Sequence, residues 1–116
     1  MKKFLAIYLG SAEAFATWRA LDEVTRKEQE KAGMEGWMAW AKTHEKSIVD
    51  MGTPLGKTKR IDPHGITDTK NDIGAYTVVE ATSHADAAKL FIGHPHFTFF
   101  PGASVEVMEC LPMPTI

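Results

Sequence analysis

From residue 4 to residue 9 every position is hydrophobic, in a run too short for a helix and bounded by Lys3 and Gly10. Leu5, Ile7 and Leu9 fall on one side and Phe4, Ala6 and Tyr8 on the other, so the chain opens with a strand whose two faces are both apolar. After Gly10 the period lengthens. Ser11 is placed to cap a helix whose inner stripe is Phe15, Trp18, Leu21 or Asp22, and Thr25, with Arg19, Glu23, Arg26, Lys27 and Glu30 outward. Gly33 and Gly36 predict an interruption. A second helical stretch follows from Trp37 to Met51, with Trp37, Trp40, Ala41, His44, Ile48 and Met51 at helical spacing and Gly52 as its stop.

Leu55 to Ile61 predicts a second strand, ending in the turn Asp62-Pro63-His64-Gly65. From Gly74 to Ala81 a β-rich run sets Ala75, Thr77, Val79 and Ala81 against Tyr76, Val78 and Glu80. Ser83 with Asp86 three residues on predicts a capping box for a short helix ending near Gly93. A last strand, Ser104 to Leu111, places Val105, Val107 and Leu111 opposite Glu106, Met108 and Cys110. The order is that of a ferredoxin-like βαββαβ protomer of the α+β class, with a split first helical region and a four-stranded antiparallel sheet covered by helices on one face. The uncovered face is expected to carry Phe4, Ala6 and Tyr8 with Val78 and Met108. That surface is too apolar for water, so a second copy of the chain is the expected cover and a homodimer the expected assembly.

The 116 residues are read as one domain, 1–116, and a chain of this length folds without disulfides or metals. A net charge of -2 supplies no field to hold nucleic acid or an anionic membrane. The one basic run, Lys57, Lys59 and Arg60, reads as a guarded edge strand. Lys2 and Lys3 followed by an apolar stretch imitate a secretory signal, but Phe4 to Leu9 is shorter than the roughly 7 to 15 residues such a region needs. Cys110 stands alone, which fits a reducing compartment, and the expected location is cytoplasmic.

Several runs carry a family resemblance: Thr69-Lys70-Asn71-Asp72-Ile73-Gly74-Ala75-Tyr76, Glu80-Ala81-Thr82-Ser83 opening a helix, His94-Pro95-His96, Pro101-Gly102 and Val105-Glu106-Val107. With the Trp37 to Leu55 stretch they resemble the YCII-related family, a branch of the dimeric α+β barrels, over most of the chain. The resemblance implies a protomer whose open sheet face packs on a partner's to form a barrel with a central cleft. Where some relatives carry an Asp-Gly-Pro-Phe run, this chain reads Pro63-His64-Gly65-Ile66. Relatives linked to chemistry use a His and Asp pair, with the His on the helix before the glycine turn. Measured back from Gly52 that position falls near Ala41, and His44 stands one turn later.

His44 is the first candidate for proton chemistry, because a titratable side chain interrupts an apolar helical stripe. Asp68 and Glu80 are its candidate acidic partners. Tyr76 and Glu80 share a strand face and Glu106 lies on the barrel side of its own strand, where desolvation would raise a carboxylate's pKa. Trp40, Tyr76, Glu106 and Phe97 are the candidate binding residues, Phe97 as a cleft rim or dimer contact. His94-Pro95-His96 aims two imidazoles from one short segment, yet a third ligand at recognisable spacing is missing, so neither a metal nor another cofactor is expected. No phosphate loop, dinucleotide fingerprint or nucleophile elbow is present.

Three functions fit these features: a cofactor-independent small-molecule enzyme of isomerase, lyase or oxygenase type, a non-catalytic binding or sensing module, and a structural dimerisation protein. Groups of perturbed pKa converging in an open, polar-lined pocket would favour the first, an apolar pocket without acid or base the second and a filled barrel the third.

Overall fold

The computed structural model describes residues 1–98, 100 and 102–114. At its centre β1 (Lys2–Gly10) runs antiparallel between β5 (Ile73–Ala81) and β6 (Gly102–Glu109), and β2 (Ile48–Asp50) lies outside β5. Among these four strands the spatial order is fourth, first, third, second, which is the ferredoxin-like arrangement. The chain is therefore an α+β protein, with a four-stranded antiparallel sheet and three α-helices among the described residues.

Register assigns the two faces. Phe4 pairs with Val79, Ala6 with Thr77 and Val107, and Tyr8 with Ala75 and Val105, and this face turns toward the helices. Phe4, Ala6, Tyr8, Thr77 and Val79 are all at most 1% exposed, and fully burying a side chain such as Phe4 contributes about 3 kcal/mol. The opposite face carries Leu5 between Val78 and Met108, and Ile7 between Tyr76 and Glu106. The expectation that Phe4, Ala6 and Tyr8 form the uncovered face is thus corrected: the open face is that of Leu5, Ile7 and Leu9, all half-buried. Val78 and Met108 do lie on the open face, but pleating places them with Leu5, since directly paired residues point the same way.

Helix α1 (Ala12–Ala20) starts where Ser11 Oγ accepts a hydrogen bond from Ala14 N–H at 3.0 Å. Helix α2 (Glu23–Thr43) is one continuous helix, begun by Asp22, whose carboxylate accepts from Thr25 N–H at 2.7 Å. The break in the first helical region is therefore at Leu21–Asp22 and not at Gly33 and Gly36. Two glycines inside a helix cost about 1 kcal/mol each, less than the burial of Trp37 and Trp40 on the following turns returns. α2 ends at His44 and not at Met51, because Ile48 belongs to β2, where it pairs with Val79. Gly52, at φ +76°, shapes the turn after β2.

The predicted strand at Leu55–Ile61 is not in the main sheet. Its second half forms β3 (Thr58–Asp62), which pairs with β4 (Gly65–Thr69) as a separate two-stranded hairpin. Helix α3 (His84–Lys89) begins where Ser83 Oγ accepts from Asp86 N–H at 3.1 Å and buries Ala87 against the sheet core, which Phe91 joins from the turn that follows.

Candidate functional site

After α3 the chain turns inward at Gly93, whose φ is +70°, and His94 to Phe97 make a short 3-10 turn. Pro95 fixes the first position of that turn, and His94 caps it: its Nδ1 accepts the backbone N–H of His96 at 2.9 Å. The His94 ring is completely buried in an aromatic cage, with centroids 4.5 Å from Trp37, 4.5 Å from Trp40, 5.0 Å from Tyr8 and 6.0 Å from Phe91. Such burial disfavours the imidazolium. Together with the neighbouring rings of His96 and His44 it lowers the His94 pKa to about 3.

The chemistry of these contacts fixes every proton along a buried chain. Because Nδ1 of His94 accepts, the neutral ring carries its proton on Nε2, which lies 3.4 Å from Tyr8 Oη. Thr77 Oγ1 donates to the carbonyl of Met51 at 3.0 Å and so accepts from Tyr8 Oη at 2.9 Å. Burial, opposed by the bond to Thr77, pushes the Tyr8 phenol up to about 12. Tyr8 is therefore a neutral member of the chain at any ordinary pH.

His96 is held differently. Its Nε2 faces two carbonyl oxygens, Leu9 at 3.0 Å and Ser104 at 3.1 Å, so this nitrogen is the donor and Nδ1 is the ring's free-electron-pair side. Gly102 lets the strand pass close to the ring: a Cβ there would lie 2.6 Å from both Cδ2 and Cε1 and would collide with the His96 carbonyl. Burial lowers the His96 pKa from its ordinary value, opposed by the two carbonyls, so the ring is neutral at neutral pH.

His96 forms part of the wall of a cavity of about 420 Å³ between one end of the sheet and the helices. Tyr8, Ala75 and Tyr76 of the sheet, Phe15, Met34 and Trp37 of the helices, the Met51–Pro54 turn and Phe100 supply the rest. Tyr8, Tyr76 and His96 are the titratable residues along that wall among the described residues, and register turns the Tyr76 side chain to the open face with Ile7. With Tyr8 locked in its hydrogen bonds, His96 is the group left to meet a ligand.

The candidates from sequence are distributed over the molecule. His44 is half-buried at the C-terminal end of α2, its ring 5.3 Å from Trp40, and does not line the cavity. Asp68 is exposed on β4 and ion-paired with Lys59 at 2.8 Å, and Glu80 lies half-buried on β5 opposite Lys3 on the open face. Among the described residues no hydrogen bond or ion pair joins these three. Trp40 is buried, its indole N–H donating to the Leu90 carbonyl at 2.8 Å. Glu106 is exposed on the open face opposite Ile7, and Phe97, 44% exposed, borders a shallow outer groove with His84 and Val107. Tyr76 alone of the seven lines the cavity. Both ring nitrogens of His94 are engaged by protein, and among the described residues no three His, Cys, Asp or Glu side chains converge as a metal site would require. His96 was legible only as one half of His94-Pro95-His96; the proline that turns both rings inward was the available signal.

No family model matches the chain, and no curated protein does. Among solved structures it is similar to 5-chloro-2-hydroxyhydroquinone dehydrochlorinase from Burkholderia phenoliruptrix AC1100, in complex with 2,5-dihydroxybenzoquinone. That match has a TM-score of 0.50 at 17% identity and covers 90% of this chain and 89% of the other. At this identity the likeness is one of fold, and it agrees with the ferredoxin-like strand order. No helix is long and apolar enough to cross a membrane among the described residues.

Proposed function

We propose that this chain is a YCII-related small-molecule enzyme, assembled as a homodimer through its open sheet face in the cytoplasm, and that its chemistry takes place in the cavity beside His96. The observation that carries the reading is the state of His96: a neutral imidazole, anchored through Nε2, on the wall of an otherwise apolar cavity. The cavity falls within the range of small-ligand sites, roughly 300 to 1,000 Å³, and at the small end of it. The aromatic and methionine residues of its lining favour a flat, unsaturated ring. A substituted single ring with a hydroxyl is the substrate class that fits. The dehydrochlorinase of similar fold, solved with a dihydroxybenzoquinone, supports that class of molecule.

In this reading His96 Nδ1 takes a proton from the bound ring compound and returns it later, a step of the isomerase or lyase kind. The carbonyls of Leu9 and Ser104 stabilise the imidazolium that forms, because Nε2–H strengthens both hydrogen bonds when the ring is charged. Tyr76 borders this cavity along its strand, while His44, Asp68 and Glu80 stand outside it. A binding or sensing module is the second reading, and the apolar lining of the cavity favours it.

The test is a panel of hydroxylated and halogenated single-ring aromatics and quinones, screened by thermal shift and native mass spectrometry and then assayed for conversion. Conversion that falls about 10²-fold or more in His96→Gln, with affinity kept, supports the enzyme. Binding without conversion supports the module, and a panel with no binder overturns both.

A further inference from the structure

We propose that the β3–β4 hairpin is an arm that lies on the open sheet face of a second copy of this chain. The proposal rests on the dimer reading given above and goes beyond it by assigning the arm a place in the interface.

Every residue of β4 is exposed, and β3 is half-buried only at its ends. Ile61 and Ile66, 72% and 68% exposed, pair across the hairpin. On the same face, next along the strands, Lys59 is ion-paired with Asp68 at 2.8 Å. Two large β-branched side chains thus share one apolar patch that the described residues leave mostly uncovered. A lone two-stranded hairpin is marginal in water, yet this one keeps five residue pairs in register without a bulge. Its patch needs a partner.

The shape of the molecule says where that partner is. The radius of gyration is 16.1 Å, against about 13 Å for a compact chain of this length, and the molecule is a slab 55 × 44 × 18 Å. A slab this thin has one helix layer, on one side of the sheet. The other side presents Leu5, Ile7, Val78 and Met108, an apolar surface of the kind the Ile61–Ile66 patch can cover. Charge agrees. The segment 57–70 holds four cations, Lys57, Lys59, Arg60 and Lys70, against the two carboxylates Asp62 and Asp68. The carboxylates are taken by Lys59 and Arg60, which leaves Lys57 and Lys70 without an ion pair among the described residues. The open face offers Glu80 and Glu106 in return, also without one among the described residues. Patch and receiving surface belong to the same chain, so a two-fold pairing satisfies both copies at once and closes.

Sedimentation equilibrium over a wide concentration range tests the arm, on the full chain and on Ile61→Asp/Ile66→Asp, with far-UV circular dichroism to verify the fold. The wild type should be a dimer, and the double variant should keep its fold and raise the dimer dissociation constant about tenfold or more. Amide exchange adds a second readout: residues 58–69 should be protected in the dimer and exchange freely after dilution to monomer. A wild type that is monomeric at all concentrations overturns the dimer reading and the arm with it. A wild-type dimer with an equally tight double variant and unprotected arm amides overturns the arm alone. Open-ended assemblies larger than a dimer also overturn it, since they require arms that do not exchange reciprocally.

Discussion

The backbone N–H of His96 donates to Nδ1 of His94 at 2.9 Å, and this one bond fixes the tautomer of a histidine that water does not reach. The bond requires a neutral acceptor, and the aromatic cage offers no counter-charge for an imidazolium. His94 should therefore make folding depend on pH. Its pKa of about 3 in the folded chain lies below the unfolded value near 6.5, so between those values the unfolded chain binds the extra proton. Stability is fully present above about pH 6.5 and falls as the pH drops toward 3. The slope from one such group is at most about 1.4 kcal/mol per pH unit, and His96, shifted the same way, adds to it. Guanidinium unfolding at pH 7, 6 and 5 should show the loss, and His94→Leu should flatten it. An equal slope in that variant would place the proton uptake elsewhere.

Tyr8→Phe removes the middle of the buried chain while leaving the ring that packs against Trp37 and His94. Thr77 still donates to the Met51 carbonyl, but Nε2–H of His94 loses its acceptor inside an apolar cage. An unsatisfied buried donor costs about 1–3 kcal/mol, although the bond lost here is long at 3.4 Å, which points to the lower end. Urea unfolding at pH 7 measures the difference directly. No loss would mean that the 3.4 Å contact contributes nothing.

Three strands of the main sheet, β1, β5 and all but the first residues of β6, and two helix starts were legible in the sequence because each is decided by neighbours along the chain. The short apolar run of Phe4 to Leu9 and the alternation of Ala75 to Ala81 mark strands, and Ser11 and Ser83 cap the helices they precede. The edge strand β2 was hidden, since Ile48 also falls on the helical stripe of Trp37 and Trp40 and only its pairing with Val79 decides between the two. The uncovered side of the sheet was misassigned for a related reason: both faces of β1 are apolar, so the pattern contains no sign of which one the helices take. The cavity was the least legible part. His96 belongs to a connecting loop, and its place on the wall depends on carbonyls of Leu9 and Ser104 that lie on two different strands.

Gly52 allows the chain to turn from β2 along the cavity. It sits at φ +76°, and a Cβ there would run into the carbonyl of Tyr76. Gly52→Ala therefore meets both a strained backbone and a backbone collision that no side-chain rotation relieves, and should destabilise the fold by more than about 2 kcal/mol. Gly56→Ala is the control, because nothing stands within 4 Å of its added methyl group. That variant should lie within about 1 kcal/mol of the wild type. Similar melting shifts in the two would show that the Met51–Pro54 turn is free to relax.

Gly102 sets the position of the His96 ring, and because an added methyl group would also meet the His96 carbonyl it sets the stability of the turn as well. A methyl group at this residue would press on Cδ2 and Cε1, the ring carbons beside the anchored Nε2, and force the ring or its loop outward. Gly102→Ala should reduce conversion of a ring substrate by about tenfold or more, with a smaller effect on affinity, since the aromatic walls remain. Affinity and conversion lost in equal proportion would mean a collapsed cavity instead of a displaced base.

The pH profile of the reaction gives His96 a separate signature. As a base it acts only when neutral, so conversion should rise with pH through the pKa of His96 and then level off. Burial puts that pKa below the ordinary histidine value, which places the rise on the acid side of about 6.5 and the plateau across neutral pH. Ser104→Pro would confound the test by breaking β6, so the carbonyl anchors are better probed through the ring itself. His96→Gln can present an amide in the same space but cannot take up a proton, and whatever conversion survives in it should lose the acid-side rise. His44→Gln should keep that rise, because His44 stands outside the cavity wall. If His44→Gln abolishes the rise and His96→Gln leaves it intact, the base is His44, and the catalytic cavity must be sought at the end of α2 instead.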